Sequence, residues 1–148
     1  GLEALRISPK LKLLSIEKRL GSKKLIESNA KFLEVKVEKI VEGDSIETIE
    51  TNNIPVSLES PDRVIISGCK NKREYLIQLI FERIKPNGII LMPLATLESC
   101  AEAIKAFKKA GLEVGLTQHQ NWRGIPLSNG TRLSPMNPIF IVKGKSLN

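Results

Sequence analysis

Pro61-Asp62-Arg63-Val64-Ile65-Ile66-Ser67-Gly68 opens the stretch of chain that decides the fold. Its apolar side chains fall on successive positions, which predicts a strand covered on both faces. It ends on a glycine that lets the backbone approach a ligand. Tyr75, Leu76, Leu79, Ile80 and Ile84 then recur at helical spacing, Pro86 and Gly88 stop that helix, and Ile89-Ile90-Leu91-Met92 supplies the next buried strand. Thr96 before Leu97 and Glu98 predicts an N-cap opening another helix, with Glu98 placing negative charge in its first turn. This order predicts a strand-helix-strand unit of an α/β protein, and the carboxyl ends of such strands are where open α/β sheets bind ligands.

Outward from that unit, Leu2 to Ile7 reads as a short helix closed by Ser8-Pro9, and Lys12 to Ile16 as a strand. Ser22 is expected to cap a helix running to about Phe32, with Leu25, Ile26 and Ala30 facing inward. Val35 to Val41 alternates apolar and charged, as a half-exposed edge strand does. Residues 46 to 60 predict a short helix and then a polar loop. Beyond Thr96 come a helix from Leu97 to Ala110, a Gly111 C-cap and a strand from Leu112 to Gln118. A long loop through Gly130 and a last strand from Pro138 to Val142 complete the reading.

The length of 148 residues with 41% hydrophobic side chains predicts one domain with a real core. No apolar stretch approaches the roughly 20 residues of a membrane span, and no signal-peptide pattern opens the chain, which predicts a soluble, cytoplasmic protein. Two cysteines, Cys69 and Cys100, provide neither a disulfide framework nor a four-ligand zinc site, and no metal is expected. The net charge of +7 implies an acidic partner, nucleic acid among the candidates. The lysines are scattered and the aromatics are only four Phe, Tyr75 and Trp122, so no base-stacking surface is visible. The cluster Lys70-Asn71-Lys72-Arg73 follows the ligand-facing strand end directly.

Several polar residues stand where chemistry is possible. Glu17 ends a strand, where a carboxylate either accepts both hydroxyls of a ribose or is plain surface. Gly43-Asp44-Ser45 ends the next strand and is either an ordinary Gly-Asp turn or a second ligand contact. Arg123 carries the planar fork that meets a carboxylate bidentately. His119 lies in the polar tetrad Gln118-His119-Gln120-Asn121 and reads as a strand end rather than a general base. Asn137-Pro138-Ile139-Phe140 opens the last strand, the wrong place for the Asn-Pro-Pro-aromatic motif of nucleic-acid amino methyltransferases.

The order Pro-Asp-Arg-Val-Ile-Ile-x-Gly (61 to 68), Ile-Lys-Pro-Asn-Gly-Ile-Ile (84 to 90), Ala-Thr-Leu-Glu (95 to 98), Arg-Gly-Ile-Pro-Leu (123 to 127) and Asn-Pro-Ile-Phe-Ile-Val (137 to 142) resembles a family of cobalamin biosynthesis. These are the precorrin-6B carbon-15 methyltransferases (decarboxylating), found alone or as the C-terminal domain of precorrin-6Y methyltransferases. Ser15 to Lys18, Leu25 to Asn29 and Val41 to Ser45 fit the earlier part of the same pattern.

The resemblance implies a class I methyltransferase fold, a Rossmann-like, doubly wound α/β sheet, with S-adenosylmethionine as cofactor. It implies that Glu17 holds the ribose, that Asp44 and the backbone of Ser45 meet the adenine, and that Ser67 and Gly68 face the sulfonium side. The implied substrate is a precorrin, whose acetate and propionate carboxylates are an acidic partner for the basic chain. Arg123 is the first choice as carboxylate clamp, with Glu98 and Arg132 weaker candidates and Thr96, like Glu98, placed on the substrate side; no catalytic residue is assigned. A homo-oligomer, or fusion to a second methyltransferase domain, is expected.

Two departures from the family pattern are also expected to matter. Gly1-Leu2-Glu3-Ala4-Leu5 resembles the segment directly after the glycine-rich loop, so the first strand and that loop are missing from this sequence. Ser67-Gly68-Cys69-Lys70-Asn71 stands where the family shows a more glycine-rich turn. The alternatives are an S-adenosylmethionine-dependent RNA methyltransferase, favoured by charge, and a truncated non-catalytic domain of the same fold.

Overall fold

The computed structural model describes residues 1–69 and 72–147, and within it Gly1–Ser60 and the chain from Pro61 onward cluster as two separate units. The first unit holds α1 (Leu2–Ile7), β1 (Leu14–Glu17), α2 (Ser22–Phe32), β2 (Lys39–Glu42) and α3 (Ser45–Glu50), then a single 3-10 turn at Val56–Leu58. Strands β1 and β2 are parallel, with Leu14 opposite Lys39 and Glu17 opposite Glu42.

The start of α2 differs from the sequence expectation. Gly21 occupies the N-cap position, and Ser22 is the first helical residue. The cap comes instead from across the sheet: Glu42 accepts the Lys23 amide at 3.0 Å and the Ser22 hydroxyl at 3.3 Å. The Lys23 and Gly21 amides, with the Ser22 hydroxyl, hold the Glu42 carboxyl below its usual range. The more buried side of α2 runs Ser22, Ile26, Ala30 at i, i+4, i+8. Leu25 lies about 100° round from Ile26 and is 62% exposed, not inward. Strand β2 also starts later than its alternation suggests, because Val35 bonds back to the Ala30 carbonyl in the turn that ends α2.

The second unit holds β3 (Arg63–Ile65), α4 (Arg73–Phe81), β4 (Ile89–Leu94), α5 (Leu97–Lys109), β5 (Glu113–His119), β6 (Trp122–Leu127), β7 (Gly130–Pro135) and β8 (Ile139–Lys145). Four strands form one sheet in the order β3-β4-β8-β5. Strand β3 runs parallel to β4, and β8 runs antiparallel between β4 and β5. Phe107 from α5, Ile77 from α4, Ile90 and Met92 from β4, and Val142 from β8 are fully buried and make the core. Thr96 caps α5 as expected, accepting the Ser99 amide at 3.2 Å. The helix ends in a Schellman motif, with Leu112 N–H bonded to Phe107 O and Gly111 N–H to Lys108 O. Gly111 takes the left-handed φ of +81° that this motif requires.

Three expectations for this unit are corrected. Strand β3 is only three residues long, and its two faces are not both covered: Ile65 is 63% exposed, and the buried residue is Ile66 just beyond it. Helix α4 ends at Phe81, not Ile84, because the chain must turn there for Lys85 N–H to reach Pro61 O and Ile89 N–H to reach Asp62 O; Tyr75 on it is exposed. The long loop through Gly130 is a two-stranded hairpin, β6 paired with β7 from Trp122↔Pro135 to Leu127↔Gly130. Gly124, Pro126 and Pro135 argue against a central strand, but this ribbon has free edges on both sides and tolerates them. The two turn residues are Ser128 and Asn129, closed by the Leu127↔Gly130 pair, and the polar Ser-Asn-Gly cluster between two runs was the signal for it.

Candidate functional site

In the first unit, parallel pairing carries Glu17 and Asp44 to the same end of two neighbouring strands. The ladder continues past β2, with Gly43 N–H donating to Glu17 O at 3.0 Å, and Asp44 follows at once. Asp44 is the N-cap of α3: its Oδ1 accepts the amides of Ile46 at 2.9 Å and Glu47 at 3.4 Å. Its Oδ2 accepts Nζ of Lys18 at 3.1 Å. Ser45 opens α3, where backbone N–H groups have no partner within the helix.

Glu17 is gripped by Arg19, whose Nε and Nη2 reach Oε1 and Oε2 at 3.2 and 3.0 Å. Both carboxyls are held below their usual range, Glu17 first by the Arg19 side chain and Asp44 first by Lys18. Two ionised carboxylates thus stand at adjacent parallel strand ends, the donor-accepting set that a ribose and an adenine amino group need. Lys18 and Arg19, which hold them, were not singled out from the sequence. Their signal was a pair of basic residues directly after an acidic strand end.

In the second unit, Ser67 and Gly68 follow β3 beyond Ile66, whose amide bonds to Leu91 O. Gly68 has φ +80°, and a Cβ there would meet nothing within 4 Å. The constraint at Gly68 is therefore backbone conformation rather than space, and room remains beside it for a ligand. Lys70 and Asn71 of the basic cluster lie outside the described residues. Arg73 is buried and braces this end of the sheet, with Nε donating to Cys69 O at 3.1 Å and Nη1 to Ser99 O at 3.1 Å and Glu102 Oε2 at 2.7 Å. It ties the segment after Gly68 to the first turn of α5, where Thr96 and Glu98 sit.

Strands β3, β4 and β5 all run one way, so their carboxyl ends share one edge of the sheet, and β6 and β7 spring from that edge. Alternation along the hairpin puts Arg123, Ile125 and Leu127 on one face together with Arg132 and Ser134. Arg123 and Arg132 are diagonal neighbours there, about 7–8 Å apart by sheet geometry. Both are exposed, and neither pairs with a described carboxylate. Arg132 thereby joins Arg123 as an equal candidate for meeting carboxylates. His119 ends β5 in contact with Thr117 Oγ1 at 3.2 Å, as a polar strand end. Among the described residues no cluster could hold a metal ion, and no helix is long and apolar enough to cross a membrane. Cys100 is buried, which pushes its thiol up.

Comparison with known proteins bears on what this arrangement serves. A family model described as a precorrin methyltransferase domain matches residues 1–144. A probable cobalt-precorrin-6B C(15)-methyltransferase (decarboxylating) of Methanosarcina acetivorans is 26% identical over 145 residues, 98% of this chain and 76% of that protein. The protein of the same name from Methanothermobacter thermautotrophicus is 24% identical over 103 residues, 70% of this chain and 50% of that one. The chain thus spans between half and about three quarters of the length of these relatives. The crystal structure of a precorrin-6y C5,15-methyltransferase from Geobacter metallireducens matches with a TM-score of 0.83 at 22% identity, over 98% of this chain and 74% of that one. That likeness shows the fold, the class I methyltransferase α/β arrangement expected from the sequence.

Proposed function

We propose a specific reaction for this chain, which belongs to the precorrin methyltransferase domain family: transfer of a methyl group from S-adenosylmethionine to carbon 15 of a precorrin, with decarboxylation of an acetate side chain. The observation that carries the cofactor half is the pair of ionised carboxylates, Glu17 and Asp44, on neighbouring parallel strand ends. The substrate half is supported by the names of the relatives and by Arg123 and Arg132 on one exposed face of the hairpin.

The cofactor supplies an activated methyl group on a sulfonium, so the protein's part is alignment and exclusion rather than acid-base work. In this reading Glu17 orients the ribose, Asp44 and the Ser45 amide meet the adenine, and Ser67 and Gly68 leave room on the sulfonium side. Arg123 and Arg132 hold substrate carboxylates through planar forks. Thr96 and Glu98, braced through Arg73, complete the substrate side. The conjugated macrocycle takes up the charge released on decarboxylation, and no catalytic residue is assigned.

Self-association, or fusion to a second methyltransferase domain, belongs to the same reading. It is supported by a hairpin with exposed Trp122, Leu127 and Leu133, since a two-stranded ribbon alone is marginally stable. So does a cytoplasmic setting, where a biosynthetic pathway would supply the tetrapyrrole. The RNA methyltransferase alternative is favoured only by the net charge of +7.

The test is incubation with a precorrin-6B substrate and isotopically labelled S-adenosylmethionine, followed by mass spectrometry. Gain of one labelled methyl with loss of carbon dioxide supports the reaction. Label on added RNA and none on the tetrapyrrole overturns it.

A further inference from the structure

Two consecutive basic residues follow β1, and each already holds one of the carboxylates assigned to the cofactor. Arg19 makes three bonds to Glu17, two from its side chain and one from its amide to Oε1 at 3.3 Å. Lys18 takes Oδ2 of Asp44, the oxygen not engaged in capping α3. A ribose diol presents two O–H donors to a carboxylate, and an adenine amino group presents N–H donors to another. The guanidinium fork and the ammonium offer equivalent donors to the same oxygens.

We propose that Lys18 and Arg19 set cofactor affinity by competing with the ribose and adenine for Glu17 and Asp44. The inference rests on the cofactor reading given above. Release is cheap, because the Lys18 and Arg19 side chains are 77% and 83% exposed and exposed ion pairs are weak. Arg19 is two positions from Glu17 and leaves by rotating its own side chain, so no element of the fold has to move. The exchange trades ion pairs for hydrogen bonds to uncharged groups. Salt screens the first and hardly touches the second. Affinity for the cofactor product therefore rises with ionic strength, the reverse of a binding driven by charge attraction.

The experiment is calorimetric titration of S-adenosylhomocysteine into the full-length protein, the Arg19→Gln variant and the Lys18→Gln/Arg19→Gln variant, from about 20 to about 500 mM salt. Thermal denaturation confirms that each variant is folded. At low salt Arg19→Gln binds about two- to fivefold more tightly than the unaltered protein, and the double variant at least as tightly. The unaltered protein gains affinity with salt, and the variants converge on it. Equal or weaker binding by folded Arg19→Gln, or affinity of the unaltered protein falling with salt while the variants fall in parallel, overturns the competition and leaves the cofactor reading standing. No binding by any of the three overturns the cofactor reading and the competition with it.

Discussion

Phe107 stands so close to Gly144 that a Cβ on Gly144 would meet its Cδ2 at 2.8 Å and Leu112 Cδ1 at 2.9 Å. Gly144 lies on β8, paired with Ile90 on one side and Val114 on the other, so neither neighbouring strand can retreat. A Gly→Ala change in a strand ordinarily helps by stiffening the unfolded chain. Here overpacking dominates, and Gly144→Ala is expected to destabilise by about 1–3 kcal/mol. Urea denaturation reads it directly, and an unchanged midpoint would mean that Phe107 swings aside at no cost.

Asp44 serves two ends, and substitutions separate them. Asp44→Ala removes the α3 cap and should cost about 0.5–2 kcal/mol. Asp44→Asn keeps a capping oxygen, so its melting temperature should stay near that of the unaltered chain while its affinity for S-adenosylhomocysteine drops with the lost charge. Equal stability losses in both variants would take the capping role from Asp44.

Glu17→Ala should abolish most S-adenosylhomocysteine affinity without unfolding the first unit, because the Glu17 carboxylate is half-buried and held chiefly by the exposed Arg19, while the strand-end bond from Gly43 goes to the Glu17 backbone and survives the change. Unchanged affinity in Glu17→Ala would remove it from the site.

Arg123→Lys keeps a charge on the hairpin and loses the fork. Tetrapyrrole turnover should fall, with S-adenosylhomocysteine binding and melting temperature nearly unchanged, since Arg123 is exposed and anchors no described partner. Loss of fold in this variant would return it to a structural role. Tetrapyrrole binding should also survive moderate salt, whereas RNA binding by counterion release would fall steeply.

Acid should loosen the first unit in a traceable way. Glu17, Glu42 and Asp44 all have carboxyls lowered in the folded chain, so folding binds protons less tightly than the unfolded chain does. Their stabilisation is fully present above the unfolded carboxylate range and is lost as pH falls through the lowered folded values. Stability should therefore hold from neutral to about pH 5 and decline below about pH 4. A Glu17→Gln/Glu42→Gln/Asp44→Asn variant should show a shallower acid limb; superimposable profiles would assign the decline to other groups.

The sequence by itself determined what depends on neighbours along the chain. The 3.6-residue spacing around Leu76 and Leu79, the Thr96 cap, the Gly111 stop and the apolar run at Ile89 involve residues a few positions apart, and the elements formed there. The placement of Glu17 and Asp44 at strand ends was legible for the same reason, because a strand's end is a local event. The tertiary structure decided which groups meet across long separations. Insertion of β8 between β4 and β5, the Glu42 carboxylate capping α2 from across the sheet, Lys18 reaching Asp44, and Arg132 joining Arg123 through hairpin register all depend on pairings that no single window contains. The exposure of Leu25 and Ile65 belongs with them: an apolar side chain records the capacity to be buried, and only the packing of distant elements determines whether that capacity is used.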